Sequence, residues 1–244
     1  MEQVPKAKVV VVISANAEWD AVKQLLPNRK LGKSPFGEWF LETAGRIQNR
    51  SVLFFQGGWG KISAAASAQY IIDHCQPDLL VNLGTCGGFD GMVHRGTMIL
   101  AKRTVVYDII EQMGDPVEHL NYYTTDLDLT WLAHPYPSDV LPTLLVSGDR
   151  DLLPDDAREL GKKYGAVAGD WESGAIAWTA ARNGVKCLIL RGVTDLVGPN
   201  GGEAYDGRID VYLAGTAQVL QTLLAALPRW LDAAAGAFSR KARP

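Results

Sequence analysis

The chain has 244 residues, 47% of them hydrophobic and 21% charged, which suffices for a single soluble domain with a full core. A net charge of −3 shows no basic excess, so nucleic acid is not expected as a partner. Cys75, Cys86 and Cys187 are odd in number and form no CxxC pair, which argues against a disulfide framework or a zinc site and suits a reducing cytoplasm.

Lys6 and Lys8 precede an apolar run, and Ala15-Asn16-Ala17 imitates a signal-peptidase site. The run Val9–Ile13 falls short of an h-region of roughly 7–15 residues. It reads instead as a central strand covered on both faces. Ala17–Leu26 has helical spacing and ends at Pro27. Glu38–Glu42 is expected to be a half-buried strand near an edge, and Ser51–Phe55 another strand. Gly57-Gly58-Trp59-Gly60 turns into an Ala- and Ser-rich helix, Lys61–Cys75, stopped by Pro77. Leu79–Leu83 is the next strand, and the turn Gly84-Thr85-Cys86-Gly87-Gly88 at its carboxyl end could face N–H groups to a ligand. Thr97–Ala101 and Arg103–Tyr107 read as two further strands. The stretch Asp108–Leu141 has little periodicity but several aromatics, as in a flap or an interface. Leu144–Ser147 is a strand and Asp155–Lys163 a short helix.

Ala166–Gly198 is the most informative stretch. Ala166–Ala168 precedes Gly169-Asp170-Trp171-Glu172, and Ser173–Arg182 is helical with a stop at Asn183-Gly184. Cys187–Leu190 is a buried strand, with Thr194-Asp195 past its end. This is a β-α-β unit with an acid after each strand, where open α/β sheets bind ligands. Glu18 follows Val9–Ile13 in the same way, so Glu18, Glu172 and Asp195 form a candidate active site. Asp170 reads as a helix cap. Val197–Gly207 is expected to be a Gly-rich loop, and Val211–Leu227 an amphipathic helix with Leu213, Leu220, Leu223, Leu224 and Leu227 on one side, stopped by Pro228. No stretch is expected to reach membrane-spanning length. One α/β domain, residues 1–244, is expected.

Gly58–Ser63 fails both nucleotide motifs. Phe55 stands where a P-loop needs glycine, Ile62 where it needs Ser or Thr, and Ser63 where GxGxxG needs its last glycine. These glycines fit equally a helix starting tightly against a sheet and a helix N-terminus touching a ligand. His74, His94, His119 and His134 form no HExxH, and GxSxG is absent, so a metalloprotease or serine hydrolase has no support.

In order along the chain, ISANAE, GGWGKISAAASA, PDLLVNLGTCGGF, VSGDRDLL, GDWESGAIA and RGVTDLVG give a further reading. With these the chain resembles the nucleoside phosphorylase/nucleosidase superfamily, most closely the 5′-methylthioadenosine/S-adenosylhomocysteine nucleosidases. The resemblance implies a central mixed sheet flanked by helices. It implies a small-molecule nucleoside substrate, no cofactor or metal, no membrane partner and a homodimer. In the implied chemistry, Asp195 protonates purine N7, Glu172 accepts the ribose hydroxyls, and Glu18 orients and deprotonates water. Thr85, Cys86, Gly87, Asp151, Leu152, Trp171 and Thr194 would be further substrate contacts. The donor needs a raised pKa and the other two acids ionised carboxylates. The phosphorylases resembled here carry arginines in the first loop and just before the Gly-rich turn. Here those places hold Ser14–Glu18 and Asn82-Leu83, which favours water over phosphate. Two departures bear on the base and the 5′ group: Arg150-Asp151-Leu152 stands where an aromatic is usual, and Trp171 replaces the usual Met. A phosphorylase, or a non-catalytic storage relative, is the alternative.

Overall fold

The computed structural model describes residues 3–42 and 51–238. Its elements begin with β1 (Val9–Ile13), α1 (Asn16–Leu25), β2 (Gly32–Lys33), β3 (Glu38–Glu42), β4 (Val52–Gln56) and α2 (Gly60–Cys75). Next come β5 (Leu79–Phe89), β6 (Met98–Val106), α3 (Pro116–Tyr122), β7 (Thr124–Asp126), β8 (Leu141–Ser147) and α4 (Pro154–Tyr164). The chain continues through β9 (Ala168–Asp170), α5 (Ser173–Arg182), β10 (Lys186–Gly198), β11 (Gly201–Gly202) and α6 (Ile209–Ala233). All strands belong to one mixed sheet, the α/β architecture expected.

β1 lies between β4 and β5 and is parallel to both. Its side chains alternate between two cores. Val9, Val11 and Ile13 join Trp19 and Val22 of α1 and Leu220, Leu223 and Leu227 of α6. Val10 and Val12 join Ala64, Ala68 and Ile71 of α2 and Ala177 and Ala180 of α5. A strand covered on both faces needs an unbroken apolar run, and each leucine fully buried this way contributes about 1.5–3 kcal/mol. β5 and β10 pair in parallel along nearly their whole lengths. From β10 the pairing passes to β6, then β8, then β9, and back to the end of β5. This closed circuit gathers β5, β9 and β10 around one hollow.

Several expectations are corrected. Gly84–Gly88 is not a turn but part of β5, because β10 supplies ladder partners throughout (Arg191 opposite Gly84, Val193 opposite Cys86) and overrides the poor strand propensity of glycine. For the same reason Asp195 lies inside β10 rather than past its end. The strand–helix–strand order holds, but β9 is antiparallel to β5 while β10 is parallel to it, so β9 and β10 are not a parallel pair. Residues 98–106 form one strand with an irregularity between Ala101 and Arg103. The 197–207 loop contains β11, paired with the end of β10. The middle stretch holds α3 and β7, and its aromatics serve intramolecular packing: Tyr122 and Tyr123 lie against Trp178, and Tyr136 against Trp230.

Pro228 does not end α6. It lacks an N–H for the preceding turn, yet Trp230 and Leu231 beyond it are each 1% exposed and dock on the core, which carries the helix through. Ile209–Phe238 is also long and apolar enough to cross a membrane by length and composition, contrary to expectation. Its apolar side is the packed face of a core helix, with Val219, Leu220, Leu223 and Leu227 buried. Leu213 departs from that face and is 49% exposed at the cavity described next.

Candidate active site

A cavity of about 400 Å³ opens where β5, β9 and β10 meet the first turns of α1 and α6. All the site residues expected from the sequence line it: Glu18, Thr85, Cys86, Gly87, Asp151, Leu152, Trp171, Glu172, Thr194 and Asp195.

Glu18 is the third residue of α1 and is 2% exposed. Its Oε1 accepts from the Thr85 N–H at 2.6 Å and the Thr85 hydroxyl at 2.8 Å, while Oε2 reaches the Ala15 N–H at 3.4 Å. Glu172 directly precedes α5 and accepts from the Gly60 N–H at 3.1 Å. The first N–H of α2 therefore faces a carboxylate of the chain itself. Lys61, next in that sequence, pairs with Asp108 and Asp149. The glycine-rich turn thus starts the helix tightly and brings Trp59 to the cavity, with the Gly60 N–H taken by Glu172. A register shift between Val193 and Asp195 lets the consecutive residues Thr194 and Asp195 both line the cavity, which a regular strand would not allow. The Thr194 hydroxyl donates to Asp195 Oδ1 at 2.6 Å.

Sequence reasoning missed the centre of this arrangement. Arg191, 0% exposed, places Nε 2.8 Å from Asp170, Nη1 3.5 Å from Glu18 and Nη2 3.9 Å from Glu172. Asn82 accepts from Nη2 at 2.8 Å, and Ser173 Oγ from Nε at 2.9 Å. Only glycine fits at position 84, because a Cβ there would come 2.0 Å from Arg191 Nη1. The available signal was a lone arginine in an apolar strand, since a buried charge must be paired. Asp170 does more than cap: it accepts from Ser147, Ser173 and Arg191. Tyr205, Tyr212 and Trp59 also line the cavity, and Trp59 stacks on Trp171 with ring centroids 5.6 Å apart.

Burial raises the Asp195 carboxyl above its usual range, against the opposing Thr194 hydrogen bond, as expected for a proton donor. Glu172 was expected to be ionised, but burial pushes it to about 8 against the pull of Arg191, with Asp170 and Glu18 adding to the rise. One guanidinium among three buried carboxylates favours a retained proton. The folded state therefore holds a proton at Glu172 that the unfolded chain loses near pH 4.3. This contribution is complete below that value and drains as the pH climbs to about 8. The Tm of ligand-free protein is expected to fall from pH 5 to 8, with a shallower slope in Glu172→Gln. An unchanged slope in that variant would remove Glu172 as the source.

All three cysteines are free and buried. Burial raises Cys86 well above its ordinary value and Cys187 to about 12, so Cys86 lines the cavity as a neutral thiol.

Fold and cavity together define an α/β protein with a buried acidic site at the junction of its longest strands. The sequence profile of the Phosphorylase superfamily matches residues 8–227, and the chain belongs to that superfamily. It is 23% identical over 235 residues to a 5′-methylthioadenosine/S-adenosylhomocysteine nucleosidase of Halalkalibacterium halodurans, covering 90% of this chain and 99% of that one. The nucleosidase of the same name from Maridesulfovibrio salexigens is 27% identical over 202 residues, covering 78% and 87%. Among solved structures, the S-adenosylhomocysteine nucleosidase of Streptococcus pyogenes, in complex with 5-methylthiotubericidin, superposes with a TM-score of 0.72 at 16% identity, covering 93% and 97%. The nucleosidase of Colwellia psychrerythraea, in complex with adenine, gives 0.72 at 20%, covering 93% and 96%.

Proposed function

We propose that this chain hydrolyses the N-glycosidic bond of a purine nucleoside, 5′-methylthioadenosine or S-adenosylhomocysteine, and releases adenine. The observation that carries this reading is the charge of the cavity lining. Glu18, Asp151, Asp170, Glu172 and Asp195 line it, with no Lys, Arg or His among the described lining residues. Such a wall suits a neutral nucleoside and a developing sugar cation, and opposes a phosphate nucleophile. Arg191 does not alter this, since its guanidinium is already committed to Asp170, Glu18 and Glu172. The names of the relatives support the substrate class.

In this mechanism Asp195 gives its proton to purine N7, so the base leaves neutral. Such help is worth about 10²–10⁴ in rate, or roughly 3–5 kcal/mol. Glu172 bonds the ribose hydroxyls; burial keeps it protonated in the ligand-free protein up to a pH of about 8, so its ionised form, which favours the positively charged ring, is fully gained only above that pH. Glu18, fixed by Thr85, orients water and takes its proton. We further propose a cytoplasmic homodimer as the working form. A storage relative has less support, because all three acids are retained and converge on one cavity.

The test is base release from methylthioadenosine, adenosylhomocysteine, adenosine and inosine, with and without phosphate. Phosphate-independent adenine release is expected, fastest with a 5′-thio substituent. Release only with phosphate would make the protein a phosphorylase; no release from any of the four would favour the storage reading.

A further inference from the structure

Arg150-Asp151-Leu152 brings no aromatic ring to the cavity; what lines it there is an acid and a leucine. A ring reaches the same end from another part of the chain. We propose that Tyr205 is a specificity-determining residue, the surface against which the purine packs, and that Glu203 and Arg95 are positioning residues that hold it there. The inference rests on the reading above, that a purine occupies the Asp195 end.

Tyr205 lines the cavity together with Asp195, Leu152 and Val197, and it packs in the same apolar cluster as the last two. Its hydroxyl donates to the Leu152 carbonyl at 2.7 Å, so the ring is tethered beside the segment that lacks an aromatic. Its backbone N–H donates to Gly202 at 3.1 Å. A Cβ on Gly202 would sit 2.6 Å from the ring, so glycine is required for the chain to fold back beneath it. Of the other three aromatics of the wall, Trp59 and Trp171 stack on each other next to Glu172, at the sugar end, and Tyr212 hydrogen-bonds Thr85, the residue that holds Glu18.

The loop that carries Tyr205 is pinned two residues earlier. Glu203 Oε2 accepts from the Leu196 N–H at 2.7 Å and from Arg95 Nε at 2.7 Å, and Arg95 Nη2 also contacts Oε1. The Glu203 N–H returns a bond to the Leu196 carbonyl at 2.9 Å. Leu196 adjoins Asp195, so one carboxylate fixes the loop to the strand that carries the proposed acid. A ring ordered before the base arrives loses little freedom on binding.

The experiment compares wild type, Tyr205→Leu, Tyr205→Phe, Glu203→Gln and the Tyr205→Leu/Glu203→Gln double variant. Adenine binding by calorimetry and KM and kcat for methylthioadenosine are the readouts, with Tm checked for each. Tyr205→Leu is expected to weaken adenine and raise KM about tenfold or more, the scale of base–aromatic stacking, with kcat within about threefold. Tyr205→Phe keeps the ring and loses only its tether to the Leu152 carbonyl, so its loss is clearly smaller than that of Tyr205→Leu. Glu203→Gln falls between them, and the double variant is no worse than Tyr205→Leu, since Glu203 acts through the ring. Wild-type adenine affinity in Tyr205→Leu, or equal losses in the Leu and Phe variants, overturns the role of the ring. Fully additive losses in the double variant overturn the role of Glu203. A wild-type protein that neither binds adenine nor releases it overturns the nucleosidase reading itself, a result distinct from these.

Discussion

Asp195→Asn is expected to lower kcat for adenine release by about 10²–10⁴-fold while KM moves only a few-fold. Asn keeps the shape and can still accept from the Thr194 hydroxyl, which holds Oδ1 at 2.6 Å in the native protein. It has no proton to transfer to the departing base. Because burial raises the Asp195 carboxyl, the wild-type rate should fall as rising pH removes that proton, and this limb should vanish in the variant. A nucleoside whose base leaves well without protonation should be cleaved almost equally by both proteins. A variant kcat within threefold of wild type would show that Asp195 is not the acid.

Arg191→Met is expected to cost about 3–5 kcal/mol of folding stability, because it strands buried carboxylates without their shared partner. The arginine is 0% exposed, and Asp170, Glu18 and Glu172 all turn toward it. The loss has a pH signature. Without the guanidinium, whose charge pulls the Glu172 carboxyl down, that group holds its proton to still higher pH, so the folded variant binds more protons than wild type as the pH nears 8. Its deficit should therefore be nearly constant from pH 5 to 7, where Glu172 is protonated in both proteins, and should grow as the pH passes about 8. Denaturant unfolding from pH 5 to 9 measures it. A deficit independent of pH would mean that lost packing, rather than stranded charge, dominates.

The parts of this molecule legible in its sequence are those where local pattern and tertiary context agree. Val9–Ile13 and Ser173–Arg182 have the bounds expected of them, since a β-branched run and a small-residue helix before Asn183-Gly184 leave few alternatives. The glycines of 84–88 misled because their extended conformation is set by β10, more than 100 residues away, and by the need to clear Arg191. Pro228 misled because docking of Trp230 and Leu231 outweighs a lost backbone bond. Expected site residues were found together because acids following apolar strands point at one edge of a sheet. Arg191 was not, because an arginine inside a strand acquires meaning only once its carboxylate partners are seen around it. Tyr205 was hidden by a loop whose course depends on the pairing of Glu203 with Arg95.

The acidic lining, with no cation among its described residues, would also act as a filter through those of its carboxylates that are ionised. A nucleoside 5′-phosphate entering it would set like charges against one another at roughly 5 Å, at about 3 kcal/mol per ionised pair for an effective dielectric near 20. A few such pairs outweigh what an extra phosphate oxygen could gain in hydrogen bonds. Mononucleotides and dinucleotides would then be excluded even though they share the adenine and ribose of the proposed substrates. Discrimination of this kind would need no dedicated residue at the 5′ position, because repulsion from the ionised acids of the proposed site would supply it.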